Sequence, residues 1–449
     1  MRQAALRTMT ALAGGIMLIT AAGAAEPIAV KAGESLQAAI DRAPEGATLT
    51  LEPGVFAEAI VIAKPITLQG AGWDKTTIGP DQAAAISQKQ KDEFFVALER
   101  TSDPQERARI AVAFATQTAL PSVTVTGASG VTLSGLRVRG PLTQSDGRTL
   151  GQDTLVKIDG ASATLADCAL IGPFMNGVTG TNGSHLTIKG CLIAALWNTG
   201  VAAAPGTTLR LTDSDVRNCY SRCVTIGTDN AIVERCRISG SAWHGIRYDG
   251  CSPKILSNHI FANARSGIYA SGRTAATVQN NVFWRNEMDA MSCWFDNADT
   301  IENNTIVGNL REGISVLGGS KPTLARNVFV GNPIAIACGK IANGRQAAAE
   351  GPMGTPKVEG NIFFKNPKPL QEASADKPLP PGNATDDPKL STAAADFKLA
   401  DDSPAKTANA GATPIAFASP FAVQQEETAM VPAADTRDYS QWKKSVAAR

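Results

Sequence analysis

The sequence predicts an all-β fold, a single-stranded parallel β-helix of about ten coils. Three observations predict it: a repeat of 22 or 23 residues, apolar columns at fixed places in every repeat, and a polar column between them. Aligning the middle of the chain brings Cys168, Cys191, Ser214, Cys236, Asn258, Asn281, Asn304, Asn327 and Asn361 into register. Three residues earlier every unit is apolar, from Leu165 to Val358, and so is the position two residues later, from Leu170 to Phe363. A third column, ten residues on, reads Val178, Val201, Val224, Ile246, Ile268, Met291 and Ile314. Each repeat thus offers three short strands with one inward side chain apiece. A helical repeat is excluded, because no 3.6-residue period runs through the units and glycine recurs in them. Stacking such coils pairs each strand in parallel with the strands above and below, about 4.8 Å apart. A second asparagine column, Asn263, Asn286, Asn309, Asn332 and Asn366, stands five residues after the first, and both read as hydrogen-bonded ladders at bends.

The flanking segments follow in order. Residues 1–25 place Arg2 and Arg7 before an apolar run and end on Ala22, Gly23 and Ala24, the layout of a cleaved secretory signal. The β-helix is expected over 26–410. Its opening stretch, 33–78, alternates like strands after a short helix that caps the open end. Residues 82–118 are Ala-rich, charged and nearly free of glycine, so they predict an inserted helical hairpin turning at Asp103 and Pro104. Near 387–405 the pattern hints at a last pair of strands, and 411–449 reads as a C-terminal tail. An exported chain with eight Cys permits disulfides, for which Cys219 with Cys223 or Cys251 with Cys293 are the pairs to test.

Composition excludes some functions. With 42 Lys plus Arg against 41 Asp plus Glu, the formal charge is +1, so no strong net field recruits nucleic acid or anionic lipid. No segment in the remainder of the chain approaches the roughly 20 apolar residues of a membrane helix. Asp213, Asp215 and Asp249 offer oxygen ligands of the kind calcium takes, but no dense run of carboxylates supports a site, so the sequence assigns no metal or cofactor.

The capping segment, the coil length and the two asparagine columns together resemble the pectin-lyase-like superfamily of right-handed parallel β-helices, over most of residues 28–405. That superfamily includes pectate lyases, polygalacturonases, alginate lyases and mannuronan epimerases, and also non-catalytic NosD-like proteins, so function does not follow from fold. The resemblance implies a cleft along the strands that carry the third apolar column. Two residues before each inward residue stand Asn176, Thr199, Arg222, His244, Ser266, Asp289 and Glu312. One residue after it, pointing outward, stand Thr179, Ala202, Thr225, Arg247, Tyr269, Ser292 and Ser315. The polygalacturonase motifs N-T-D, D-D and G-H-G match here as "NTG" at 198–200, "SRC" at 221–223 and "WHG" at 243–245. His244 fits, but Gly200, Ser221 and Arg222 replace the acids that inverting hydrolysis needs.

The chemistry is therefore expected between Arg222 and Glu312. Removing a proton beside a uronate carboxylate needs a base and a cation to stabilise the enolate-like anion. His244 and Tyr269 can move the proton, Arg222 and Arg247 can hold the carboxylate, and Arg265 on the same face favours an anionic sugar. Trp243 and Trp294 can stack on sugar rings, with Asp249 and Arg311 completing the binding set. Asp289 and Glu312 stand on adjacent rungs, about 5 Å apart, the separation of a retaining glycosidase pair, with Arg265 and Arg311 in the preceding column. His185 and His259 lie off this face and read as structural. The expectation is an exported, carbohydrate-active protein that acts on an acidic polysaccharide by β-elimination or epimerisation. The alternatives are a glycoside hydrolase using Asp289 and Glu312, and a non-catalytic NosD-like or glycan-binding β-helix.

Overall fold

The computed structural model describes residues 26–80, a few between 89 and 100, 121–140, 154–172, 176–196, 198–339, 352–373, 375–391 and 396–413. The expected signal segment and nearly all of the tail lie outside them. So does most of the expected hairpin, of which Lys89, Asp92, Glu93, Val96 and Ala97 are helical.

Three long sheets of 13, 13 and 12 strands run along one axis, each strand hydrogen-bonded in parallel to its counterpart one coil away. The first apolar column lines one sheet from inside, the second a second sheet, and the third the sheet that carries the cleft. Val224, Ile246, Ile268 and Ile314 have no exposed surface, and Met291 is buried. In-register pairs such as Ile246 with Ile268 stack the column directly. The N-terminal strands Ile28–Val30, Thr48–Leu51 and Thr67–Gly70 join the first sheet as further rungs rather than forming a separate layer. What closes the open end is the helix Leu36–Arg42, capped by Ser35 and burying Leu36 and Ile40. At the other end the hint of a last strand pair becomes a single antiparallel bridge between Leu390 and Leu399, followed by the short helix Pro404–Thr407.

Both ladders form. Asn304 donates through Nδ2 to Asn327 Oδ1 at 3.0 Å and to the Val278 carbonyl at 2.9 Å. Its own Oδ1 accepts from the Asn281 backbone N–H and side chain. Such an amide satisfies its donor and acceptor together inside a buried bend, and Ser214 fills the same column with a hydroxyl that accepts from Cys191 N–H and donates to the Thr212 carbonyl.

The disulfide expectation is corrected. All eight cysteines are buried free thiols. By register Cys293 stacks on Ala270 and Ala270 on Tyr248, which sets Cys293 two rungs, about 10 Å, along the axis from the coil that ends at Cys251, beyond disulfide reach. Cys219 and Cys223 flank one bend as free thiols in contact with each other, and they also donate to the carbonyls of Arg217 and Ser239.

Candidate functional site

Five successive strands build the cleft: Arg222–Ile226, His244–Asp249, Ile268–Ser271, Met291–Trp294 and Glu312–Leu317. Because alternate residues point to opposite faces, the inward aliphatic column fixes its outward neighbours as one wall. Arg222 pairs in register with His244, and Arg247 with Tyr269. The residue after His244 is Gly245, where a Cβ would lie 2.7 Å from the Gly267 carbonyl oxygen; Gly267 stands likewise 2.8 Å from that of Ala290. These glycines let the rungs approach at the point where His244 and Ser266 emerge.

The cleft encloses about 580 Å³ and is lined by Arg222, Trp243, His244, Arg247, Arg265, Tyr269, Trp294 and Arg311, all anticipated from the sequence, together with Ser266, Met288 and Ser292. Ser266 and Ser292 stand in the two columns read from the repeat but carry no charge to mark them. Met288 belongs to a rim column three residues before the inward one, where Trp243, Arg265 and Arg311 also stand. That shared column is the signal that would have found it.

Within the cleft, cations outnumber their partners. Arg247 pairs with Asp249 at 3.1 Å on the exposed side, so Asp249 serves the site by partnering Arg247. Among the described residues Arg222 and Arg265 have no carboxylate partner; instead their guanidinium carbons lie 5.5 and 4.4 Å from the Trp243 ring centre. An aromatic face offers attraction to a cation without consuming its N–H donors. Burial, helped by the charges of Arg247 and Arg265, holds the Arg222 guanidinium below its usual range.

His244 sits at the base of this cluster, 7% exposed, with its ring 4.8 Å from that of Tyr269. Its Nδ1 has no hydrogen-bond partner. Burial first, then the charges of Arg265, Arg222 and Arg247, push its pKa down to about 3, so the imidazole is neutral at physiological pH. A carboxylate bound among the guanidiniums would offset that repulsion and return basicity to the ring when a substrate is present. Trp294 continues the aromatic row, its ring centre 5.8 Å from that of Tyr269.

Asp289 and Glu312 are brought together as expected, but not as a free acid and nucleophile. Asp289 has no exposed surface, and Arg311 grips both of its oxygens at 2.9 and 2.7 Å. Burial pushes its carboxyl up, yet the Glu312 proton, Arg311 and Ser292 outweigh it and hold Asp289 ionised, below its ordinary value. Glu312 takes the opposite role: burial and the neighbouring Asp289 charge push it up to about 8. Three rungs, about 14 Å, separate the Glu312 position from His244, so the two cannot act on the same bond.

The two other histidines lie off this cleft, as expected. His185 is exposed on the first sheet. His259 packs edge-on against Phe397 on another sheet, and burial pushes it down to about 4. No group of three or more His, Cys, Asp or Glu able to hold a metal ion occurs among the described residues.

The model of the right-handed β-helix region matches residues 122–283 and 222–377, together more than half of the chain. The chain belongs to this family. This right-handed β-helix chain is also similar to several solved structures. The periplasmic alginate epimerase AlgG is 15% identical with a TM-score of 0.42, over 79% of this chain and 82% of that one. XylC in complex with xylose is 9% identical with a TM-score of 0.48, over 80% and 84%. The catalytic domain of a GH87 α-1,3-glucanase in complex with tetrasaccharides is 13% identical with a TM-score of 0.45, over 80% and 68%. No curated protein sequence matches this β-helix.

Proposed function

We propose that this β-helix is an exported enzyme that acts on a uronate-containing polysaccharide by removing the proton next to the uronate carboxylate. The observation that carries the reading is His244, a buried neutral imidazole with an unpartnered Nδ1, placed beneath guanidiniums that have no carboxylate of their own. In this reading Arg222 and Arg265 bind the sugar carboxylate and stabilise the negative charge that develops on it as the C–H bond breaks. His244 takes the proton. Tyr269, in ring contact with His244, serves as the partner in proton transfer. From the common anion two products follow. Expulsion of the adjacent glycosidic oxygen gives an unsaturated sugar, and return of a proton to the opposite face gives the epimer.

Both outcomes share one early event, so a single experiment tests them together. Uronate polymers incubated with the protein in deuterated water are followed by NMR for exchange at the carbon bearing the carboxylate and by absorbance for unsaturated ends. Wild type is expected to exchange or eliminate on at least one polymer, and His244→Gln to do neither. Tight binding with no exchange on any polymer would place the chain among glycan-binding β-helices, and a fully active His244→Gln would remove the proposed base.

A further inference from the structure

Below the far end of the cleft a carboxylate is spent in full on holding its neighbours. Asp289 Oδ1 accepts from Arg311 Nε, and Oδ2 accepts from Arg311 Nη2, from Ser292 Oγ and from Ser315 Oγ at 2.9 Å. Ser266 Oγ joins the cluster through Ser292 at 2.8 Å. Arg311 also donates from Nε to Glu312 at 2.6 Å, while its side chain remains 44% exposed at the cleft wall. This two-point grip fixes the plane of the guanidinium and leaves Nη1 unspent. An ion in this position with no route to solvent is poorly suited to nucleophilic attack and well suited to orientation.

We propose that Asp289 is a positioning residue that fixes Arg311 as the anion-binding group of a second subsite, two rungs along the axis from His244. The proposal rests on the reading of the cleft as a site for an acidic glycan and adds where a second acidic sugar of the same chain is held. Glu312, which retains its proton near neutral pH, keeps this end from becoming net negative and repelling that sugar. The Arg311 guanidinium reaches back to Asp289, two rungs or about 10 Å from the His244 position, so a single uronate held at His244 does not extend to it, whereas an oligomer long enough to span two rungs does.

The test compares binding of galacturonate and mannuronate monomers with binding of their oligomers by calorimetry. Arg311→Ala is expected to weaken oligomer binding by about ten-fold or more, the usual loss for a charged hydrogen bond, and to leave monomer binding unchanged. Asp289→Asn should do the same, raise KM for the polymer with little change in kcat, and abolish the protected Arg311 Nε–H resonance that wild type is expected to show by ¹⁵N NMR. If Asp289→Asn fails to fold, Arg311→Lys, which keeps the charge and loses the fork, is expected to show the same selective loss for oligomers. Equal losses for monomer and oligomer in Arg311→Ala would overturn the subsite. An unchanged Nε–H signal in Asp289→Asn, or loss of kcat with KM unchanged, would overturn the positioning role. A wild type that binds none of these sugars would instead overturn the reading of the cleft, and the resonance comparison would still judge Asp289.

Discussion

The guanidinium of Arg265 lies 4.4 Å from the centre of the Trp243 ring, a side chain that is 40% exposed. With Arg222 held near the same ring, two cations are kept at one place without a counter-carboxylate, and His244 experiences both. Removing either cation should therefore be visible on the imidazole.

Arg265→Ala is expected to raise the titration midpoint of His244 from about 3 toward its ordinary value, because Arg265 is the largest contribution after burial. The return will be incomplete, since burial persists. NMR titration of the ring carbon protons measures it, and a midpoint that does not move would mean that burial alone sets the pKa.

Stability should fall in mild acid. The folded pKa values of His244, about 3, and His259, about 4, lie below the unfolded value of 6.5, so between these limits the unfolded chain binds protons that the folded chain refuses. Stability is then complete above about pH 6.5 and declines as pH falls, by up to about 1.4 kcal/mol per pH unit for each group. Glu312, raised from 4.5 to about 8, contributes with the opposite sign as pH rises through that range. Urea unfolding of wild type and a His244→Gln/His259→Gln double variant isolates the histidines: the double variant should show the flatter acid limb.

Asn304→Ala should cost about 2–4 kcal/mol. It removes the acceptor of the buried Asn281 backbone N–H and the side-chain donor to the Val278 carbonyl, and a buried group left unsatisfied carries a penalty of about 1–3 kcal/mol. A denaturant midpoint close to that of wild type would show that the ladder closes around the gap.

The thiols offer a chemical check. In the native state all eight are buried and should resist a thiol reagent, and unfolding without reductant should release eight reactive groups. Six or fewer would reveal a disulfide.

Much of this was legible in the sequence because it is periodic. Burial repeats every coil, so Val224, Ile246, Ile268 and Ile314 announce both the interior and the register. The same register carried His244, Arg222 and Tyr269 onto neighbouring rungs, and the asparagine columns onto their ladders. What periodicity does not encode is which outward groups neutralise one another. Asp289 and Glu312 have the spacing of a catalytic pair, yet only the packed structure shows Arg311 and two serines closing over Asp289, while Arg222 and Arg265 are left facing an indole. Nor does it encode contacts made once, such as Phe397 returning from the C-terminal segment to cover His259 and Trp284. A repeat specifies neighbours one coil apart because backbone hydrogen bonds and burial enforce the same geometry every time. Side-chain charge pairing depends on the reach and rotamer of individual long residues, and these are decided where the chain is already wound.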